Sequence, residues 1–214
     1  MTTYDDQLSS YISSLFAVED EYLLNARDDS PKYGLPGGNI KAEEGRFLQF
    51  LAYAIGASKA VEIGTLGGYS GIWIARGLRP GGKLITIDKE AKHAEVAQKH
   101  FEAAGLQKVV DIRVGNALQI ISRLPDEGPF DFVFIDADRP AYPTFYNWAV
   151  ENVRIGGIIA IHNAFRKGTV AGIGDDDEHT DLMRQLNRRI AEDPRVSSTI
   201  FPAGDGTLIS VRQG

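Results

Sequence analysis

The stretch Val61-Glu62-Ile63-Gly64-Thr65-Leu66-Gly67-Gly68-Tyr69-Ser70-Gly71 runs from apolar residues into an acid, through glycines, and into a helical pattern starting near Tyr69. Glycines let a ligand come close to the backbone, and the free amides at a helix start attract an anion, so this is the layout of a nucleotide-type cofactor loop. A second acid, Asp88, closes the run Leu84-Ile85-Thr86-Ile87-Asp88. Its two oxygens can accept both hydroxyls of a ribose. A third run ends in Gly115-Asn116-Ala117, small residues that can lie along an adenine ring. Each feature alone has a plainer reading, as a surface acid, a turn or a helix cap. In register at the ends of three successive strands, one shared ligand explains them better. The dinucleotide fingerprint G-x-G-x-x-G lacks its middle glycine here, since Thr65-Leu66 follow Gly64, and this counts against a nicotinamide cofactor.

Positioning these residues requires strands that end side by side. From Lys59 onward short apolar runs alternate with helix-length segments: strands are expected at Ala60-Ile63, Leu84-Asp88, Val109-Val114, Phe130-Asp136 and Ile158-His162, with helices such as Ala91 to Ala104 and Pro140 to Val153 between them. That order calls for a doubly wound α/β fold with a mostly parallel, Rossmann-like sheet. Two further strands, Val196-Phe201 and Thr207-Val211, are separated only by Pro202-Ala203-Gly204-Asp205-Gly206 and predict an antiparallel hairpin at the C-terminal edge. The chain reads as one domain, residues 1-214, with N-terminal helices over 1-56 and the α/β core over 57-214. Leu8, Tyr11, Ile12, Leu15, Phe16, Tyr22 and Leu23 fall on one helical face, followed by a glycine- and proline-rich loop from Ser30 to Asn39 and a second amphipathic helix through Phe47 and Leu51. His93, His100 and His179 are expected to be solvated, and Tyr142, Phe145, Tyr146 and Trp148 mostly core, with one or two beside the ligand. The loop from Arg166 to Glu178 is expected to close over a substrate, its acidic run Asp175-Asp176-Asp177-Glu178 solvated and without EF-hand spacing.

The net charge of -6 argues against a nucleic-acid partner, and the absence of cysteine excludes disulfides and thiolate metal sites. No apolar run approaches the ~20 residues of a membrane span. The start, Met1-Thr2-Thr3-Tyr4-Asp5-Asp6, has no apolar signal region, so a cytoplasmic location is expected.

The loop, the two acids and Gly115-Asn116-Ala117 resemble class I S-adenosylmethionine-dependent methyltransferases. Glu44-Gly45-Arg46-Phe47-Leu48, Val61-Glu62-Ile63-Gly64 with Gly68-Tyr69-Ser70, Phe130-Asp131-Phe132-Val133-Phe134-Ile135-Asp136-Ala137-Asp138, Gly156-Gly157-Ile158-Ile159 and Gly204-Asp205-Gly206 resemble, in that order, the caffeoyl-CoA O-methyltransferase family, related to catechol O-methyltransferase. The resemblance spans nearly the whole chain. It implies methyl transfer from S-adenosylmethionine to a hydroxyl of a small aromatic acceptor, catechol- or hydroxycinnamate-like, by a homodimer. It also implies cofactor contacts at Ile40, Glu62, Gly64, Thr65, Ser70, Asp88, Ala117 and Asp136.

The same resemblance implies a divalent metal held by two aspartates and an asparagine, with a lysine as base. Here Asp136 and Asn163 match, but His162 replaces the second aspartate and Arg139 the lysine. Arginine stays protonated, so Arg139 can only stabilise an anion or hold a carboxylate. If a metal binds at Asp136, His162 and Asn163, imidazole favours a transition metal over magnesium or calcium. His162 could instead be the base, with its ordinary pKa of ~6.5, or a structural side chain. Two alternatives remain open: a cofactor-binding protein with lost or altered catalysis, and a nicotinamide-dependent oxidoreductase.

Overall fold

The computed structural model describes residues 4–214. Met1, Thr2 and Thr3, part of the start read above for a targeting signal, lie outside the described residues. In chain order the elements are α1 (Asp6–Phe16), α2 (Glu21–Asp29), α3 (Ala42–Ala54), β1 (Lys59–Ile63), α4 (Tyr69–Gly77), β2 (Lys83–Asp88), α5 (Ala91–Ala103), β3 (Val110–Val114), α6 (Ala117–Ile121), β4 (Phe130–Ile135), α7 (Tyr142–Asn152), β5 (Val153–Ile161), α8 (Thr180–Ala191), β6 (Val196–Phe201) and β7 (Thr207–Arg212).

The strands form one sheet in the order β3-β2-β1-β4-β5-β7-β6. The first five are parallel, and β7 lies antiparallel between β5 and β6. The hairpin foreseen from Gly204-Asp205-Gly206 is therefore present, and β6 forms the outer edge. Alternation along the central strands explains why both faces are covered. Val61 and Ile63 of β1 join Val133 and Ile135 of β4 in a core closed by α6, α7 and α8. Ala60, Phe132 and Phe134 point the other way, into a core closed by α2, α3, α4 and α5. Strand order reverses between β1 and β4, the place where such sheets leave a crevice at the strands' carboxyl ends.

The N-terminal segment departs from the single apolar face read from its spacing. It forms two helices, because Asp20 accepts the Leu23 amide at 3.1 Å and starts α2 afresh. The inner side of α1 is polar: Ser9 and Ser13 donate to the buried carboxylate of Glu43. Tyr11, Leu15 and Phe16 face outward and are exposed. Among the described residues no helix is long and apolar enough to cross a membrane.

Candidate active site

One more rung of the parallel ladder extends past the strand ends and fixes the backbone of the residues singled out by sequence. The Gly64 amide donates to Ile87 O at 2.9 Å, Asp136 to Ile63 O at 2.9 Å, His162 to Ile135 O at 3.0 Å, and Gly115 to Asp88 O at 2.8 Å. Gly64 and Asp136 line a cavity of about 610 Å³ at these strand ends, whereas Gly115 and His162 are not on its wall. Its wall includes Ile40, Gly64, Thr65, Ser70, Asp88, Ala117, Asp136 and Arg139. A cavity of that size suits a ligand of nucleoside dimensions.

Glycine is required at position 64. Its φ is +105°, and a Cβ there would come within 1.9 Å of the Asp136 carbonyl oxygen. Asp88 holds the loop from the next strand: Oδ2 accepts the amides of Thr65 at 3.2 Å and Leu66 at 2.9 Å, while Oδ1 accepts that of Glu90 at 2.9 Å. Asn116 caps α6 by accepting the Gln119 amide at 3.3 Å.

Glu62 is fully buried behind the loop and is not part of the cavity wall. It accepts from Ser70 Oγ at 2.5 Å and from Thr86 Oγ1 at 2.6 Å, and Thr86 bonds in turn to Thr65 Oγ1 at 2.6 Å. Burial pushes its carboxyl up to about 7, against the hydrogen bonds from Ser70 and Thr86, with the charges of Asp136 and Asp88 adding to the rise. Glu62 thus sets the loop and the Ser70 hydroxyl from behind.

Behind Asp136, and like Asn163 not on the cavity wall, His162 is buried, its Nδ1 3.2 Å from Asp136 Oδ2 and its Nε2 3.2 Å from Glu44 Oε1. Neither contact is an aligned hydrogen bond. Burial alone would lower the imidazole pKa, but the Asp136 carboxylate, followed by Glu44, lifts it to about 10. The two carboxylates therefore favour the protonated ring, in which both nitrogens are donors. Asn163, in the left-handed region at φ 62°, accepts from Arg139 Nη2 at 3.1 Å and donates to Asp205 Oδ2 at 2.9 Å.

The donors for the implied metal do not fit one. Both ring nitrogens of His162 face carboxylates, and the Asn163 oxygen is occupied by a guanidinium. Among the described residues no three His, Cys, Asp or Glu side chains converge as a metal site.

Several wall residues were not singled out from sequence. Pro36, Gly37, Gly38 and Asn39, read as a plain loop, line the cavity, as does Lys89. Phe145 is the one member of its aromatic group on the wall; Tyr142, Tyr146 and Trp148 are core. The expectation of solvated histidines fails at two positions. His93 lines the cavity with Nδ1 3.1 Å from Asp88 Oδ1, and His100 is buried with Nδ1 2.7 Å from Gly67 O. Both sit on the side of α5 that meets the glycine loop, a side defined only once the loop is folded.

The O-methyltransferase family model matches residues 12–213. The chain belongs to the O-methyltransferase family. A catechol O-methyltransferase of Niastella koreensis is 39% identical over 198 residues, covering 92% of this chain and 90% of its own length. A caffeoyl-CoA O-methyltransferase of Petroselinum crispum is 32% identical, covering 97% and 91%. The crystal structure of an O-methyltransferase from Bacillus cereus in complex with SAH superimposes with a TM-score of 0.88 at 35% identity, covering 97% of each chain. This O-methyltransferase uses S-adenosylmethionine as methyl donor. The relatives lend nothing to a nicotinamide-dependent oxidoreductase or to a binding protein without catalysis.

Proposed function

We propose that this O-methyltransferase methylates a hydroxyl on a small aromatic acceptor, and that the acceptor enters beside Asp136 and Arg139. The observation that carries the reading is one cavity with two chemically distinct ends. One end has a carboxylate, Asp88, at a strand terminus beside the small residues Asn116 and Ala117. The other has Asp136, a guanidinium and the aromatic Phe145. In this reading Asp88 takes the ribose hydroxyls, Ala117 lies along the adenine, and Ile40, Gly64 and Thr65 act mainly through backbone. Ser70, set by Glu62, stands beside the helix amides where the cofactor carboxylate would bind. Asp136 sits nearest the reacting centre. When bound, S-adenosylmethionine supplies an electrophilic methyl on a sulfonium.

Of the three roles open to His162, metal ligand, base or structure, we favour the last. Its position between two carboxylates supports a paired cation that fixes Asp136, with Asn163 orienting Arg139. The acceptor class follows from the size and the aromatic lining of the cavity, and it agrees with the catechol and caffeoyl-CoA enzymes to which the chain is similar.

We further propose a homodimer. Helices α1 and α3 pack together, and both leave large apolar side chains exposed, among them Phe16 at 64% and Tyr53 at 76%. A cytoplasmic location belongs to the same proposal and rests on the cysteine-free composition. Incubation with methyl-labelled S-adenosylmethionine and a panel of catechols and hydroxycinnamates tests the activity. Label should appear in an aryl ether, and transfer only to nitrogen or thiol acceptors would overturn the reading. Light scattering on the eluting protein tests the dimer.

A further inference from the structure

At the acceptor end of the cavity one charge has no counterpart. Arg139 forms no ion pair among the described residues, its Nε is buried without a hydrogen-bond partner, and its one recorded bond is from Nη2 to the neutral Asn163. A partly buried guanidinium facing a cavity is a site waiting for an anion. The neighbouring donors are turned away from any added cation. His162 lies between Asp136 and Glu44, and the Asn163 amide bridges Arg139 and Asp205. A dication at the Asn163 oxygen would have to displace the guanidinium already there.

We propose that the Arg139 guanidinium is the cation that holds the acceptor oxygen in this enzyme, that the site takes no divalent metal, and that the acceptor is a single acidic aromatic hydroxyl entering as its anion. This rests on the O-methyl transfer proposed above. Chelation by a metal is what makes a pair of neighbouring hydroxyls necessary, so a guanidinium, which binds an anion through N–H donors, removes that requirement. Both ring nitrogens of His162 face carboxylates and are not turned to the acceptor position, so the hydroxyl proton leaves to bulk water before binding. The phenolate lone pair then forms the new O–C bond to the methyl group as the S–C bond breaks, and that bond's electron pair remains on sulfur. The products are the aryl methyl ether and S-adenosylhomocysteine.

The test has a binding arm and a turnover arm. Calorimetric titration of magnesium, manganese and zinc into the wild-type protein with S-adenosylhomocysteine should show no stoichiometric site. The paired substitutions Arg139→Lys and His162→Asp should create one. In turnover, single phenols of graded acidity should be methylated at rates that chelator changes less than about twofold, the more acidic ones faster at neutral pH. Arg139→Met should lower kcat/KM by roughly 100-fold or more while S-adenosylhomocysteine affinity holds, which also shows that the variant is folded. A stoichiometric metal in the wild type, or activity abolished by chelator and restored by one metal, overturns the proposal. If no acceptor is methylated under any condition, the preceding reading fails, and the metal titration still decides the claim about the site.

Discussion

Glu44, in the first turn of α3, and His162, just past β5, face each other at 3.2 Å with both side chains buried. The contact joins the N-terminal layer to the sheet edge that carries Asp136. Gly204 borders it closely enough that a Cβ there would lie 2.1 Å from Glu44 Oε2. Removing one partner of a buried ion pair costs about 3 to 5 kcal/mol where it leaves the charge uncompensated, and less here because Asp136 Oδ2 still lies 3.2 Å from the His162 ring. Glu44→Ala should therefore destabilise the protein by less than about 3 kcal/mol in urea unfolding, and Glu44→Gln by less still. In a His162→Asn background the loss should shrink, since the charge to be compensated is gone. A loss of equal size in both backgrounds would show that the two residues do not act as a pair.

Gly64 predicts a sharp contrast with another wall glycine. A Cβ at Gly64 would meet the Asp136 carbonyl at 1.9 Å, whereas one at Gly37 would meet no atom within 4 Å. Gly64→Ala should cost more than about 3 kcal/mol and abolish binding of S-adenosylhomocysteine, because backbone must move on two strands at once. Gly37→Ala should stay within about 0.5 kcal/mol of wild type. Thermal unfolding of the two variants side by side checks this, and a similar loss in both would refute the steric account.

The fold was legible because both faces of the central strands are apolar and the intervening segments have helical length, so the pattern between Lys59 and His162 admits few arrangements. The meeting of Asp88 and Asn116 on one cavity was legible for a similar reason: they sit at or just past strand ends, where topology alone brings them together, whereas Glu62 lies behind the loop and off the wall. What sequence did not show depends on contacts between distant elements. The polar inner side of α1 makes sense only with Glu43 of α3 behind it, and the cation between Glu44 and Asp136 needs three elements in place. His93 looks like helix surface until Asp88 is placed beside it.

Asp88 has two tasks, tying down the loop amides and, in the proposed reading, receiving the ribose. An amide offers one accepting oxygen where the carboxylate offers two, so Asp88→Asn cannot serve the loop and the ligand equally. Hydrogen bonds to a charged group are worth about 1.5 to 3 kcal/mol. Affinity for S-adenosylhomocysteine should fall roughly 10- to 100-fold by calorimetry. His93→Phe removes only the ring nitrogen near Oδ1 and should weaken binding less than about tenfold. Unchanged affinity in Asp88→Asn would move the ribose elsewhere in the cavity.

Glu62 gives the fold a pH dependence of defined sign. Its carboxyl is lifted from the ordinary 4.5 to about 7 in the folded protein, chiefly by burial. Between those pH values the unfolded chain has already released the proton while the native protein keeps it, so the unfolded state binds fewer protons and stability falls as pH rises. The stability in question is fully present below 4.5 and is lost as pH passes through 7. A shift of that size corresponds to about 3 kcal/mol. Glu62→Gln preserves an acceptor for Ser70 but cannot ionise, so the wild type should lose stability relative to this variant across that interval. Chemical unfolding of both proteins from pH 4 to 8 measures the difference; a constant gap would mean that Glu62 does not change its protonation over that range.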